Sequence, residues 1–500
     1  MELTLSRPLF KRDGKLYGQF LEHFHRQVYG GVYEPGSPLV DADGFRTDVL
    51  DALRQIATPV IRWPGGCYVS AYHWRDGVGA ERRPAYNKAW RVEDDNRFGT
   101  DEFVALCRKL GCEPYICTNA GTGTPEEMSD WLEYCNLPSA GANARLRAQN
   151  GHAAPFGVRY WSIGNENYGS WEMGAKTSAE WGPFVRESAK MMRRVDPSIE
   201  LSAAALDDLD WTYQLLRSAG PYLKWISLHS YFDFNCEAEH PAGYEACMAY
   251  TADLAAPVRR VRGLLSAFGL EKSIRVAYDE WNLRSWHHPG IMGLEQGATE
   301  AEYLTPRDLN DVNATYTMAD AVFSACFLNM LLRNADLVGM ANFAPCVNTR
   351  GAIFTYPGGV VLRPTFYVFK LFTQHMGDTV LDSWSEGNDT LRVTDKCGQT
   401  ALVDCVDAVA TLDSATGAYA VSAVNKHPTE ARTLRIKADG LPSGASAAAL
   451  WTLNGPSADA YNDVDRSEVA LCSGAPPVWR DGALEATLPP HSVNVLRVGR

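Results

Sequence analysis

The stretch Thr100-Asp101-Glu102-Phe103-Val104-Ala105-Leu106-Cys107-Arg108-Lys109-Leu110-Gly111-Cys112-Glu113-Pro114-Tyr115-Ile116-Cys117-Thr118 contains one complete unit of the fold. Phe103, Leu106, Cys107 and Leu110 recur at three- and four-residue intervals, which puts them on one face of a helix. Thr100 is suited to cap the start of that helix and Gly111 to end it. The run from Glu113 to Thr118 then reads as a short strand buried on both faces. Upstream, Val49, Leu50, Leu53 and Ile56 repeat the helical spacing ahead of a second apolar run, Val60 to Trp63. A helix feeding a short apolar strand, over and over, is the pattern of a parallel sheet covered by helices.

Followed along the chain, the same pattern gives strands from Leu16 to Phe20, Val60 to Trp63, Glu113 to Thr118, Arg159 to Ile163, Ile199 to Ala204, Trp225 to Leu228, Ile274 to Tyr278 and Asp336 to Asn342. Eight strand-helix units in roughly 360 residues match a (β/α)8 TIM barrel enlarged by loop insertions. The Ala- and Gly-rich patch from Pro138 to Pro155 is one such insertion. The competing architecture, an open doubly wound sheet, usually carries a Gly-rich phosphate turn, and Gly121-Thr122-Gly123 lacks its third glycine. After about residue 376 the texture changes to short alternating runs such as Ala401 to Val406, Tyr419 to Val424 and Ser492 to Val498, separated by turn residues. The expected α/β chain is therefore a catalytic barrel over residues 15–375 and a C-terminal antiparallel β-sandwich over 376–500, with residues 1–14 packing on the latter.

Composition narrows the function. Sixty acidic residues against 47 basic ones, a net charge of −13, argue against nucleic acid as a partner, because phosphate backbones recruit clustered positive charge. No apolar run reaches about 18 residues, and Met1-Glu2-Leu3-Thr4-Leu5-Ser6-Arg7 has no apolar signal stretch, so no membrane association and a cytoplasmic location are expected. The 12 cysteines include no Cys-x-x-Cys pair, which fits reduced thiols better than a disulfide scaffold or zinc ribbon. Fourteen Trp and 22 Tyr serve equally as core filler and as flat faces on which sugar rings stack. Glu22 with His23 and His25, and His287 with His288, lack the His-Glu-x-x-His spacing of a helical metal site. Asp41-Ala42-Asp43-Gly44 reads as a turn, since the later ligands of a calcium loop are missing. Neither metal nor cofactor is expected, and the absence of Gly-x-Ser-x-Gly argues against an α/β-hydrolase.

Barrel chemistry sits where strands end and loops begin. Two strand ends stand out: the fourth, Tyr160-Trp161-Ser162-Ile163-Gly164-Asn165-Glu166, and the seventh, Val276-Ala277-Tyr278-Asp279-Glu280-Trp281-Asn282. A carboxylate directly after an apolar strand is costly unless something fixes and pairs it. Glu166 and Glu280 are separated by two to three barrel units, which sets them across the mouth from each other. Two opposed carboxylates suit glycoside hydrolysis, one protonating the departing oxygen and one serving the anomeric carbon.

Over nearly its whole length the chain resembles glycoside hydrolase family 51, the α-L-arabinofuranosidases among the clan A retaining barrels. The resemblance rests on Glu22-His23-Phe24-His25-Arg26-Gln27-Val28-Tyr29-Gly30-Gly31-Val32-Tyr33, Arg62-Trp63-Pro64-Gly65-Gly66-Cys67, Trp74-Arg75-Asp76-Gly77-Val78-Gly79, Asn96 to Phe103, Gly164-Asn165-Glu166 and Asp279-Glu280-Trp281-Asn282. It implies Glu166 as general acid/base, Glu280 as nucleophile, and Asn165 as the holder of the sugar 2-hydroxyl. It implies Arg62 beside the nucleophile, lowering the pKa of Glu280, while apolar surroundings raise that of Glu166. His229 and Tyr231 resemble the pair that orients the nucleophile, and Glu22, Cys67 and Trp90 match positions lining the furanose pocket. The implied activity is exo-cleavage of terminal α-L-arabinofuranosyl residues from arabinan or arabinoxylan oligosaccharides, in a homo-oligomer of a family that is often hexameric.

Three positions depart from the family: His25 stands where Gly is usual, Glu172 follows Trp171 where Gln is usual, and Pro345 stands in place of a Gln. Such changes would alter how non-reacting hydroxyls are held and leave proton transfer untouched. Two alternatives share the expected features: another retaining glycosidase on the same barrel, an endo-β-glucanase or xylosidase, and a sugar-binding protein that has lost activity.

Overall fold

Eight parallel strands close into a barrel: β1 (Gly18–Phe20), β2 (Val60–Trp63), β3 (Glu113–Thr118), β4 (Tyr160–Ile163), β5 (Glu200–Ala203), β6 (Trp225–Asp233), β7 (Arg275–Arg284) and β8 (Val338–Phe343). The computed structural model describes residues 1–233, 241–285, 311–438 and 448–499. Strands pair in the order β5-β4-β3-β2-β1-β8-β7-β6. The ring is completed by the parallel bridge Ala204 to Ser227, next to a hydrogen bond from the Ala205 amide to the Ser227 carbonyl at 3.0 Å.

Period-two alternation grades the barrel interior from apolar to polar. Val60, Tyr115, Tyr160, Trp225, Ala277 and Met340 form one buried cluster at the bottom. Two residues further along the same strands stand Arg62, Cys117, Ser162, Ser227, Asp279 and Asn342, all buried. Arg62, Cys117, Ser227 and Asp279 bond or pair within this ring, Ser162 and Asn342 donate to the Gly164 and Gln19 carbonyls, and the ring forms the floor of the site described below.

The helix of the opening segment runs Thr100–Leu110, and Gly111 ends it in the left-handed conformation at φ 71°. Its cap residue is Gly99 rather than Thr100: the Gly99 amide is satisfied by Glu102 Oε2 at 2.8 Å, and Thr100 Oγ1 instead accepts the Trp131 indole N–H. Leu16 and Tyr17 likewise lie outside the first strand, in a 3₁₀ turn over Gly14–Tyr17 set up by the Asp13 side chain, which accepts from the Lys15 amide.

The C-terminal region is the expected antiparallel sandwich, and among the described residues ten of its strands link edge to edge into one sheet. That sheet curls, so that Leu450 and Leu484, far apart in strand order, share a core with Leu3, Leu5, Leu434 and Leu496. An interior member is the N-terminal strand Glu2–Lys11, antiparallel to Thr379–Glu386 and parallel to Arg432–Ala438. The helix Met318–Arg333 is buried around almost its whole circumference, as a helix clamped between barrel and sheet must be.

Candidate active site

Strand β7 carries an irregularity that decides the site. Ala277 pairs with Ser227 and Glu280 with His229, so three residues of β7 span two of β6. Such a bulge breaks the alternation, and both Asp279 and Glu280 therefore reach into the barrel. Arg62 meets them both: its Nη1 donates to Glu280 Oε1 at 2.6 Å, and its Nε lies 3.4 Å from Asp279 Oδ2. Tyr231 completes the hold on Glu280 by donating its hydroxyl to Oε2 at 2.7 Å.

Opposite, the chain leaves β4 through a turn in which Gly164 (φ 70°) and Glu166 (φ 42°) both adopt left-handed backbone. A β-carbon at Gly164 would collide with Asn167 and Trp181, so only glycine serves there. For Glu166 the conformation is strained, which is common where a side chain must be aimed. Its Oε1 accepts from His229 Nδ1 at 2.7 Å and its Oε2 from the Trp171 indole at 2.8 Å. Carboxylate oxygens of Glu166 and Glu280 and a ring nitrogen of His229 all lie within 4.8 Å of one another. Asn165 bridges the two halves: its Oδ1 accepts from Arg62 Nη2 at 2.8 Å, and its Nδ2 donates to Glu172 Oε1 at 2.9 Å.

Glu22, Cys67 and Trp90 complete the wall. Glu22 Oε1 accepts from the Trp90 indole at 2.7 Å and from the Tyr68 amide at 3.0 Å. Gly66 passes between the carboxylates, where a β-carbon would lie 3.1 Å from Glu280 Oε1 and 3.4 Å from Glu22 Oε1. Cys67 Sγ lies within 4.8 Å of carboxylate oxygens of Glu166 and Glu172. All nine residues singled out in the sequence thus come together at one end of the barrel.

Two expectations need correcting. His229 is bonded to Glu166 more closely than to Glu280, whose Oε2 is 3.6 Å from the same Nδ1. The pKa of Glu166 is not raised. Burial alone would push it up, but the hydrogen bond and charge of His229, with the Trp171 indole, hold it below the usual carboxylate range. Burial works against a charge on His229, yet Glu280, Asp279 and Glu166 push its pKa up to about 10, so the ring is an imidazolium. Burial first, and then the charge of Glu280, raise Glu22 to about 7.

Sequence reasoning left out Asp279, Trp171, Ser70 and Arg350. Asp279, fully buried, accepts from Tyr115 at 2.7 Å and from Ser227 at 2.5 Å, and stands 3.3 Å from His229 Nε2. Its place beside Glu280 was the available signal, but only the bulge turns both inward. Arg350, whose Nη2 donates to the Tyr231 hydroxyl at 3.3 Å, comes from the segment after β8, where no periodicity marks it.

Among the departures, His25 sits at φ 49°, where glycine is the easier residue, with Nε2 3.4 Å from Asp311 Oδ2. His23 Nδ1 is bonded to Asp94 at 2.7 Å, so neither histidine converges with Glu22. Asp41 caps its own turn through the Asp43 and Phe45 amides. His287 and His288 lie outside the described residues.

A (β/α)8 barrel whose mouth holds two facing glutamates, one on an imidazolium and one on a guanidinium, defines a glycoside hydrolase. The chain's residues 52–247 match the α-L-arabinofuranosidase 1 domain and residues 279–492 the α-L-arabinofuranosidase C-terminal domain. It belongs to glycoside hydrolase family 51, the α-L-arabinofuranosidases. It is 32% identical to α-L-arabinofuranosidase C of Emericella nidulans, over 98% of this chain and 96% of that one. An intracellular exo-α-(1→5)-L-arabinofuranosidase of Streptomyces lividans is 34% identical over 97% of this chain and 72% of its own length. The crystal structure of the Thermotoga maritima α-L-arabinofuranosidase in complex with arabinose superposes with a TM-score of 0.87 at 32% identity, covering both chains fully.

Proposed function

We propose that this enzyme is a retaining exo-glycosidase that removes terminal non-reducing α-L-arabinofuranosyl residues from arabinan and arabinoxylan oligosaccharides by double displacement. The observation that carries the reading is the separation of Glu166 and Glu280 oxygens, within 4.8 Å. Retaining pairs lie roughly 5–5.5 Å apart, whereas inverting pairs stand about 6.5–9.5 Å apart to admit a water.

In the first step a Glu280 oxygen attacks the anomeric carbon while Glu166 gives a proton to the departing oxygen. The proton is at hand: shifting it from His229 Nδ1 to Glu166 Oε1 turns the ion pair into a neutral acid and a neutral imidazole with no change in net charge. In the second step Glu166, again a carboxylate, takes a proton from water as the water opens the glycosyl ester on Glu280. Arg62 and Tyr231 hold Glu280 in place for both steps, and Asn165 is fixed with its amide beside the pair, where the sugar 2-hydroxyl would lie. Exo action inside the cell, on oligosaccharides that this reading takes to be imported, is in line with the name of the Streptomyces relative, an intracellular exo-α-(1→5)-L-arabinofuranosidase. Assembly as a homo-oligomer is part of the same proposal.

The test is a panel of aryl glycosides differing only in the sugar, with the anomeric configuration of the first-formed product followed by NMR. The α-L-arabinofuranoside should be turned over fastest and with retention. Inversion would refute the double displacement, and preference for a glucoside or xyloside would refute the assigned sugar.

A further inference from the structure

Glu172 is a buried carboxyl that the mechanism above leaves unused. It lies on the turn after β4, with its Oε1 accepting from Asn165 Nδ2 at 2.9 Å and its Oε2 2.5 Å from Ser70 Oγ. The Cys67 thiol bonds to it as well. Those three bonds favour its charged form, but burial and the charge around it work the other way and outweigh them. The carboxylate of Glu166 lies within 4.8 Å, the Tyr168 hydroxyl is close by, and among the described residues no Lys, Arg or His forms an ion pair with it. Glu280 and Asp279, by contrast, share the Arg62 guanidinium. A carboxyl that is desolvated, faces an anion and lacks a cation is expected to keep its proton.

We infer that Glu172 is a positioning residue held as a neutral carboxylic acid, which fixes the Asn165 amide and spares Glu166 a second negative charge while Glu166 gives up its proton. The inference rests on the reading of Glu166 as acid/base. As an acid, Glu172 has the hydrogen-bonding capacity of a glutamine: an oxygen that accepts from Asn165 and, once Oε2 is protonated, an O–H to donate to the Ser70 hydroxyl that otherwise donates to it. This explains how Glu can stand where the family usually carries Gln. The equivalence has a limit that Gln does not share. Burial, and next the charge of Glu166, bring Glu172 to about 8, whereas the imidazolium of His229 persists to about 10. Between those values Glu172 becomes an anion while the Glu166–His229 pair still holds its proton. Proton delivery then has to build a carboxylate at Glu166 beside an existing one, and the step is opposed. The expectation that this departure leaves proton transfer untouched therefore does not hold at alkaline pH.

The experiment follows kcat/KM against pH for two substrates, a 4-nitrophenyl α-L-arabinofuranoside, whose departure needs little acid help, and an α-1,5-linked arabinobiose, whose departure needs a proton. In the wild type the ratio of the poor to the good substrate should fall at least about tenfold between about pH 7 and about pH 9.5. Glu172→Gln should abolish that fall. Glu172→Ala should lower activity on both substrates across the whole range, since the Asn165 Nδ2 loses its acceptor. A wild-type ratio that is flat with pH overturns the inference without reference to any variant, and so does a Glu172→Gln ratio that falls like the wild type. Running Glu166→Ala on the same pair separates the two readings. Equal losses on both substrates would remove the acid/base assignment itself, whereas selective loss on the arabinobiose beside an unaltered Glu172→Gln profile would remove only the role given to Glu172.

Discussion

Glu166 is bonded to His229 through Oε1 and Nδ1 at 2.7 Å, and the far side of the same ring stands 3.3 Å from Asp279. The imidazole therefore lies between two carboxylates, which favour a proton on its nitrogens, and on the proposed mechanism this is the proton that Glu166 delivers. Replacing His229 with Ala moves that proton onto a carboxyl. The alkaline limb of kcat/KM should then shift to lower pH, because the last proton of the pair no longer has an imidazole at about 10 to occupy. Activity on poorly departing alcohols should drop by about 10²-fold or more, and less on nitrophenyl substrates. A limb that moved upward would contradict the arrangement.

Glu280→Ala should abolish turnover for every leaving group. A mechanism-based furanoside inhibitor followed by peptide mass spectrometry should label Glu280, and a label on any other residue would reject it as the nucleophile.

For Glu166→Ala the expected signature is selectivity. An activated aryl furanoside should still form the covalent intermediate, and external azide should accelerate its breakdown to a glycosyl azide of retained configuration. Without azide rescue the assignment fails.

Arg62 is buried and touches Glu280, Asp279 and Asn165 at once. Arg62→Met leaves two buried carboxylates without their guanidinium, and urea unfolding should register a loss of about 3–5 kcal/mol. A loss under about 1 kcal/mol would mean that His229 alone satisfies the cluster.

Glu22 gives a pH dependence of stability whose sign is fixed. Its folded-state value of about 7 lies above the ordinary 4.5, so between those limits the native chain holds a proton that the unfolded chain releases. Stability from this group is full below about 4.5 and is lost as pH rises through about 7. The difference in Tm between Glu22→Gln and the wild type should therefore shift in favour of Gln across that window and level off above it. A constant difference would place the titration elsewhere.

Strands β2 and β3 were legible to the residue because Val60–Trp63 and Glu113–Thr118 are apolar runs bounded by clear helix and turn signals. Strands β6 and β7 extend well past their apolar runs, to Asp233 and Arg284, because the ends that carry the site are polar and hydropathy reads them as loop. Glu166 and Glu280 could be recognised from their places after strands. Their partners could not, since the state of Glu166 depends on a histidine 63 positions away and the aim of Glu280 on a one-residue bulge. The barrel expectation came from repetition, which survives local error. The antiparallel C-terminal region was legible from its alternation, but nothing in Glu2–Lys11 announces that its strand neighbours lie near residues 380 and 435.

That first strand has a bearing on how the enzyme is made and handled. This strand precedes the barrel in the chain, yet both of its neighbours follow the barrel, so the whole barrel is synthesised while a ten-residue segment waits with open hydrogen-bonding edges. Cutting the gene between barrel and sheet would yield two fragments, of which the second has a slot one strand wide between Thr379–Glu386 and Arg432–Ala438. A synthetic peptide of residues 2–11 is the natural complement for that slot, and its binding would turn the C-terminal fragment into a split-protein reporter.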